Sequence, residues 1–130
     1  MRDLFGGRGR RETPEADLQK SCADYLFIQY PHVLFDHPAL EGRRSFAMMS
    51  WLKRLGTKPG MPDLMIYAQR KGFCGLAIEL KVPGGKSTEL QIQRLADLRN
   101  AKWYTDVIYS FDDFKRLVDD YLITIIDRRL

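Results

Sequence analysis

Two short apolar runs, each carrying charge where a buried strand would exclude it, constrain this 130-residue chain more than any other feature. The first is Gly60-Met61-Pro62-Asp63-Leu64-Met65-Ile66-Tyr67 and the second is Leu76-Ala77-Ile78-Glu79-Leu80-Lys81-Val82. Gly and Pro bound both runs, and β-branched and aromatic residues lie within them, which is the composition of strands. Side chains alternate along a strand, so Glu79 and Lys81 share one face with Ala77, while Leu76, Ile78, Leu80 and Val82 take the other. Asp63 stands at the mouth of the first run. Burying unpaired charge is costly, so an acid and a base on an interior strand imply a use for them. The connection Gln69-Arg70-Lys71-Gly72 is short enough to force antiparallel pairing, which brings Asp63 towards Glu79 and Lys81. Two carboxylates beside an ammonium make a site for a hard divalent cation, Mg²⁺ or Mn²⁺, with a means of activating water. The Leu80 carbonyl is available to complete such a shell.

The remaining elements follow from caps and periodicity. Thr13-Pro14-Glu15 opens a helix that runs to about Gln29, with Thr13 as N-cap and Pro14 at the first helical position. Its stripe is Leu18, Cys22, Tyr25 and Leu26, and the spacing sets Glu15 on the core-facing side. Pro31 to Phe35 reads as a short strand and Asp36-His37-Pro38 as a turn, with His37 a turn residue or substrate contact. Phe46 to Leu52 has helical periodicity, with Met48, Leu52 and Leu55 on one side and Trp51 assigned to the core. Ser87 is expected to cap the next helix, in which Gln91, Leu95 and Leu98 share a buried stripe. A glutamine facing a sheet needs a hydrogen-bond partner. Asn100 is the expected left-handed helix terminator, and Trp103 to Tyr109 reads as a strand. Ser110 caps a last helix with the stripe Phe114, Leu117, Val118, Tyr121 and Leu122. The apolar tail, 123–130, either docks on its own core or forms part of a subunit interface. This order of elements is an α/β fold with a mixed central β-sheet flanked by α-helices.

Composition narrows the function classes. The net charge of +4 suits a polyanionic partner. Cys22 and Cys74 lie far apart, and neither histidine is spaced with Cys or a carboxylate as a metal ligand, which argues against a disulfide framework or a zinc site. No run approaches membrane-spanning length and the start is not a signal peptide, so the protein is expected to act inside the cell that makes it. The segment 1–11 is read as a flexible basic arm carrying Arg8, Arg10 and Arg11, preceding one domain over 12–130. Arg43, Arg44, Lys53, Arg54 and Lys58 form an acid-free stretch immediately before Asp63, a candidate surface for phosphates, and Lys86 could reach one from the Pro83-Gly84-Gly85 loop.

Pro62-Asp63 followed by Glu79-Leu80-Lys81 resembles the catalytic signature of the PD-(D/E)xK nuclease superfamily. More narrowly, Gly60-Met61-Pro62-Asp63-Leu64, then Ile78-Glu79-Leu80-Lys81-Val82-Pro83-Gly84-Gly85-Lys86 and a downstream Gln91, is similar to the VRR-NUC family in its small, stand-alone, phage-type form. The resemblance runs from the Glu15 helix to the Tyr121 helix. It implies a restriction-endonuclease-like core and a Mg²⁺- or Mn²⁺-dependent DNA endonuclease that hydrolyses phosphodiester bonds, with no small-molecule cofactor and no membrane. It further implies a homodimer selective for branched DNA, such as a Holliday junction or a flap, in a bacterial or phage-infected cell. By the same resemblance Glu15 reaches the metal and Gln91 borders the catalytic centre of Asp63, Glu79 and Lys81. The competing readings are a non-catalytic DNA-binding or scaffold module that keeps the fold, and a non-specific nuclease.

Overall fold

The structure, a computed structural model, describes residues 13–38 and 45–123. The basic arm with Arg8, Arg10 and Arg11, the pair Arg43 and Arg44, and the tail 124–130 lie outside the described residues.

Eight elements follow one another: α1 (Pro14–Gln29), β1 (Phe35–Asp36), α2 (Phe46–Arg54), β2 (Leu64–Ile66), β3 (Leu76–Leu80), α3 (Glu89–Asn100), β4 (Tyr104–Ile108) and α4 (Phe111–Leu122). The four strands form one sheet in the order β1-β2-β3-β4. The first two pairings are antiparallel and β3–β4 is parallel. The sheet is therefore mixed, as expected. A parallel pair needs a crossover, and α3 supplies it.

Alternation along β2 and β3 sorts the sheet into two faces. Leu64, Ile66, Leu76, Ile78 and Leu80 pack with Cys22 and Leu26 of α1 and with Phe114, Val118, Tyr121 and Leu122 of α4. Tyr25 and Tyr30 fasten α1 to α4, because both hydroxyls donate to Asp119 Oδ1 at 2.6 Å. Burial, reinforced by that carboxylate, pushes the Tyr25 hydroxyl up to about 12. The opposite face carries Ala77 and Glu79 of β3. At Gly75, just before β3, the Trp103 ring lies so close that a Cβ would meet it at 2.4 Å.

Several local expectations are corrected. Thr88, not Ser87, caps α3: Thr88 Oγ1 accepts from the Gln91 N–H, and Gln91 Oε1 accepts in return from the Thr88 N–H. Ser87 would have Leu90 as the third helical residue, and leucine cannot return that bond. Asn100 stays helical, and Lys102 takes the left-handed conformation at φ 70°. The Lys102 N–H then donates to Arg99 O and the Trp103 N–H to Leu98 O, a Schellman pair two residues later than expected. β1 is only Phe35–Asp36; the Val33 N–H donates to Tyr30 O and turns the chain before it. Trp51 is not core but 52 % exposed, and α2 buries none of its residues. The expected caps at Thr13 and Ser110 are present.

Candidate active site

The two antiparallel strands deliver the acids. β2 and β3 pair with Leu64 opposite Ile78, which sets Asp63, one residue before β2, beside the end of β3. The Leu80 N–H donates to Asp63 Oδ2 at 2.7 Å. Within a strand the N–H and C=O of one residue point to the same edge, so the Leu80 carbonyl also faces the Asp63 side.

Glu79 is 2 % exposed and Lys81 8 %, and both extend from the same face of the strand. Lys81 Nζ lies 3.6 Å from Glu79 Oε1, and the same oxygen accepts from Gln91 Nε2 at 3.1 Å. The other carboxylate oxygen, Glu79 Oε2, is buried without a hydrogen-bond partner. Such an orphaned acceptor is rare in native interiors and calls for an explanation. Burial pushes the Glu79 carboxyl up to about 8; the Asp63 charge and, in the protonated form, a hydrogen bond shared with the Asp63 carboxylate add to the rise, and Lys81 opposes it. The Asp63 field also reaches Cys22 on α1, whose thiol is raised to about 12, chiefly by burial.

The Gln91 amide is used at both ends, its oxygen closing the cap of α3 and its nitrogen on Glu79. That answers the partner question which its sequence position raised. Glu15, in contrast, is exposed in the first turn of α1 rather than core-facing. The stripe it shares begins to bury only at Leu18, so its first turn overhangs the core. Among the expected phosphate contacts, Lys53, Arg54, Lys58 and Lys86 are exposed.

Two contributors were not read as structural from the sequence. His37 donates from Nδ1 to the Asp63 main-chain carbonyl, because a carbonyl only accepts. The β1–β2 register, Asp36 opposite Met65, carries His37 to that position, and no local motif announces it. Arg94 Nε donates to the Pro59 carbonyl at 3.0 Å, tying the loop before Asp63 to α3.

The residues fit a hard cation. Two carboxylates of different chain segments adjoin, one of them with a buried, unsatisfied oxygen, and a main-chain carbonyl lies on the same edge. Among the described residues no three His, Cys, Asp or Glu side chains form a closed metal cage. Mg²⁺ is commonly held by one or two carboxylates, with water and substrate phosphate completing the shell. Among the described residues no helix is long and apolar enough to cross a membrane.

No family model and no curated protein matches the sequence. Solved structures do. A "VRR_NUC domain protein" is similar at a TM-score of 0.67 and 23% identity over 87% of this chain and 91% of that one. A "VRR_NUC domain" is similar at a TM-score of 0.57 and 21% identity over 85% of this chain and 99% of that one. Element order, sheet topology and these likenesses agree: the chain has the VRR-NUC domain fold, an α/β architecture with a mixed sheet between helices.

Proposed function

We propose that this protein is a metal-dependent DNA endonuclease that hydrolyses phosphodiester bonds and prefers branched DNA. The observation that carries the reading is the convergence of Asp63, Glu79 and Lys81, with Glu79 Oε2 buried and unsatisfied. A buried acceptor oxygen left in that state is destabilising until a partner meets it, and a divalent cation is one such partner. Asp63 and Glu79 would hold Mg²⁺ or Mn²⁺, with the Leu80 carbonyl; such an ion, when bound, activates water and offsets charge on the phosphate.

The side chains around it have separable tasks. Gln91 fixes the Glu79 carboxylate in one rotamer through Oε1. His37 and the Leu80 N–H fix Asp63 from its two ends, main chain and carboxylate. Lys81, beside Glu79, supplies a positive charge where a hydrolytic water or a phosphate oxygen would stand. Glu15 would join the site only by extending from its exposed position towards Asp63. Lys53, Arg54, Lys58 and Lys86, with Arg8, Arg10, Arg11, Arg43 and Arg44, would neutralise phosphates. The resemblance to small structure-selective nucleases favours recognition of DNA shape. A homodimer would set one such site on each of two opposed strands.

The test is incubation with Mg²⁺ or Mn²⁺ and matched linear duplex, flap, single-strand and four-way junction substrates, alongside Asp63→Ala and Lys81→Ala. Cleavage of the junction or flap, lost in both variants with the fold retained, is the expected result. Full activity in either variant refutes the assignment. Binding without cutting makes the protein a DNA-binding module, and equal cutting of every substrate makes it a non-specific nuclease.

A further inference from the structure

The helix α2 inverts the usual rule for apolar residues. It buries none of its side chains, yet Met48, Trp51 and Leu55 stand at i−3, i and i+4 on one face and all are exposed. A cation lies on this face, the Arg54 guanidinium over the Trp51 ring at 5.9 Å, and exposed Lys58 stands in the loop that follows the helix. From Ser45 to Pro62 there is no Asp or Glu.

The end of the helix is closed: the Leu55 N–H donates to Trp51 O, the Gly56 N–H to Lys53 O and the Thr57 N–H to Leu52 O. Arg94 then anchors the following loop at Pro59. Residues 55–62 separate α2 from Asp63, an extended reach of at most about 30 Å.

Two kinds of occupant have the right size, a second copy of this chain and a nucleic acid. Two copies meeting through α2 across a two-fold axis would each present the same patch. Arg54, and Lys58 in the following loop, would then face a partner segment with no acid to receive them. A nucleic acid satisfies both halves of the surface, with phosphates for the cations and base faces for the indole. In a continuous duplex the bases are stacked on one another and cannot take up an indole. At a strand end, flap or branch point they can, and apolar side chains also wedge between base steps.

We propose that α2 is a base-stacking surface, in which Trp51, bracketed by Met48 and Leu55, stacks on unpaired or unstacked bases while Arg54, with Lys58 from the loop that follows, holds the adjoining phosphates. The proposal deepens the nuclease reading and rests on it for the identity of the polyanion as DNA. It gives shape selectivity a physical source, since a branched substrate offers a base face that linear duplex withholds.

The full chain is titrated with labelled four-way junction, single strand and blunt duplex in Ca²⁺, so that binding is read without cleavage. Wild type, Trp51→Ala and Trp51→Phe are compared, with thermal unfolding as the check of fold. Trp51→Ala is expected to weaken junction and single-strand binding about ten-fold or more while duplex binding changes less than two-fold. Trp51→Phe restores most of the loss, and the junction quenches wild-type tryptophan fluorescence more strongly than that of Trp51→Phe. Unchanged junction binding in Trp51→Ala overturns the proposal, as does an equal loss on all three DNAs. A Trp51→Ala variant whose mass in solution falls from dimer to monomer assigns the face to a second copy and also overturns it. The nuclease reading fails separately: a chain that binds through Trp51 but never cuts in Mg²⁺ or Mn²⁺ refutes that reading and leaves this one standing.

Discussion

Glu79→Gln isolates the energetic strain at the candidate metal site. In the metal-free protein the Glu79 carboxyl is raised from 4.5 to about 8, first by burial, then by Asp63, with Lys81 opposing. An acid whose folded pKa lies above its unfolded value keeps its proton longer in the folded state. Between pH 4.5 and 8 the native chain thus binds more protons than the unfolded chain, and stability falls as pH rises. The slope is about 1.4 kcal/mol per pH unit, so wild type should lose on the order of 2 kcal/mol between pH 6 and 8 relative to Glu79→Gln, which has nothing to titrate. For a chain of this length that corresponds to a relative change in Tm of roughly 5–10 °C. The assay is thermal unfolding of both proteins in chelator across that range, repeated with saturating Mn²⁺. Metal binds the ionised pair, so Mn²⁺ should reverse the wild-type trend and leave Glu79→Gln little changed. Parallel Tm curves for the two proteins in chelator, at every pH, would refute the reasoning, because Glu79 would then be titrating as an ordinary exposed acid.

Two further perturbations test the groups that hold the acids. Gln91→Ala removes both the cap return on Thr88 and the donor on Glu79 Oε1; it should lower stability by about 1 kcal/mol in chelator and weaken Mn²⁺ binding by calorimetry, and unchanged Mn²⁺ affinity would dismiss its site role. His37→Ala releases the Asp63 main chain; a several-fold rise in Mn²⁺ Kd is expected, partly recovered in His37→Asn, which keeps a side-chain N–H donor, and equal affinities in all three proteins would reduce His37 to a turn residue.

What could be read in advance depended on whether a feature is local. The two site strands were legible because Glu79 and Lys81 break an apolar run, and an apolar run tolerates charge only for a reason. The caps at Thr13 and Ser110 were legible because a hydroxyl before a helix has a specific backbone N–H to satisfy. The α3 cap was misread by one residue because Ser87 and Thr88 are equivalent as donors and acceptors; only the return bond from Gln91 separates them. His37 could not be placed, since its contact with Asp63 depends on the register of a strand only two residues long. Glu15 followed the stripe of α1 correctly in angle but not in depth, because periodicity does not say where the core ends along the helix axis.

Trp51 was misplaced for a different reason, and the error is informative. Helical periodicity puts Met48, Leu52 and Leu55 on one side with Trp51 beside them, but it is silent on whether another element covers that side. The structure thus holds two departures from the ordinary distribution of polarity: a buried carboxylate oxygen without a partner, Glu79 Oε2, and an exposed indole at Trp51. Both are unfavourable for the isolated chain, and the segment from Phe46 to Lys81 contains both. Sequences that fold well usually satisfy such rules everywhere except where function requires otherwise. A divalent cation relieves the first and an unstacked base the second, and branched DNA brought to the metal site would meet both at once. The two departures therefore make a joint demand: on the cleavable junction, Trp51→Ala and Glu79→Gln should lose activity through different steps, the first in KM and the second in kcat.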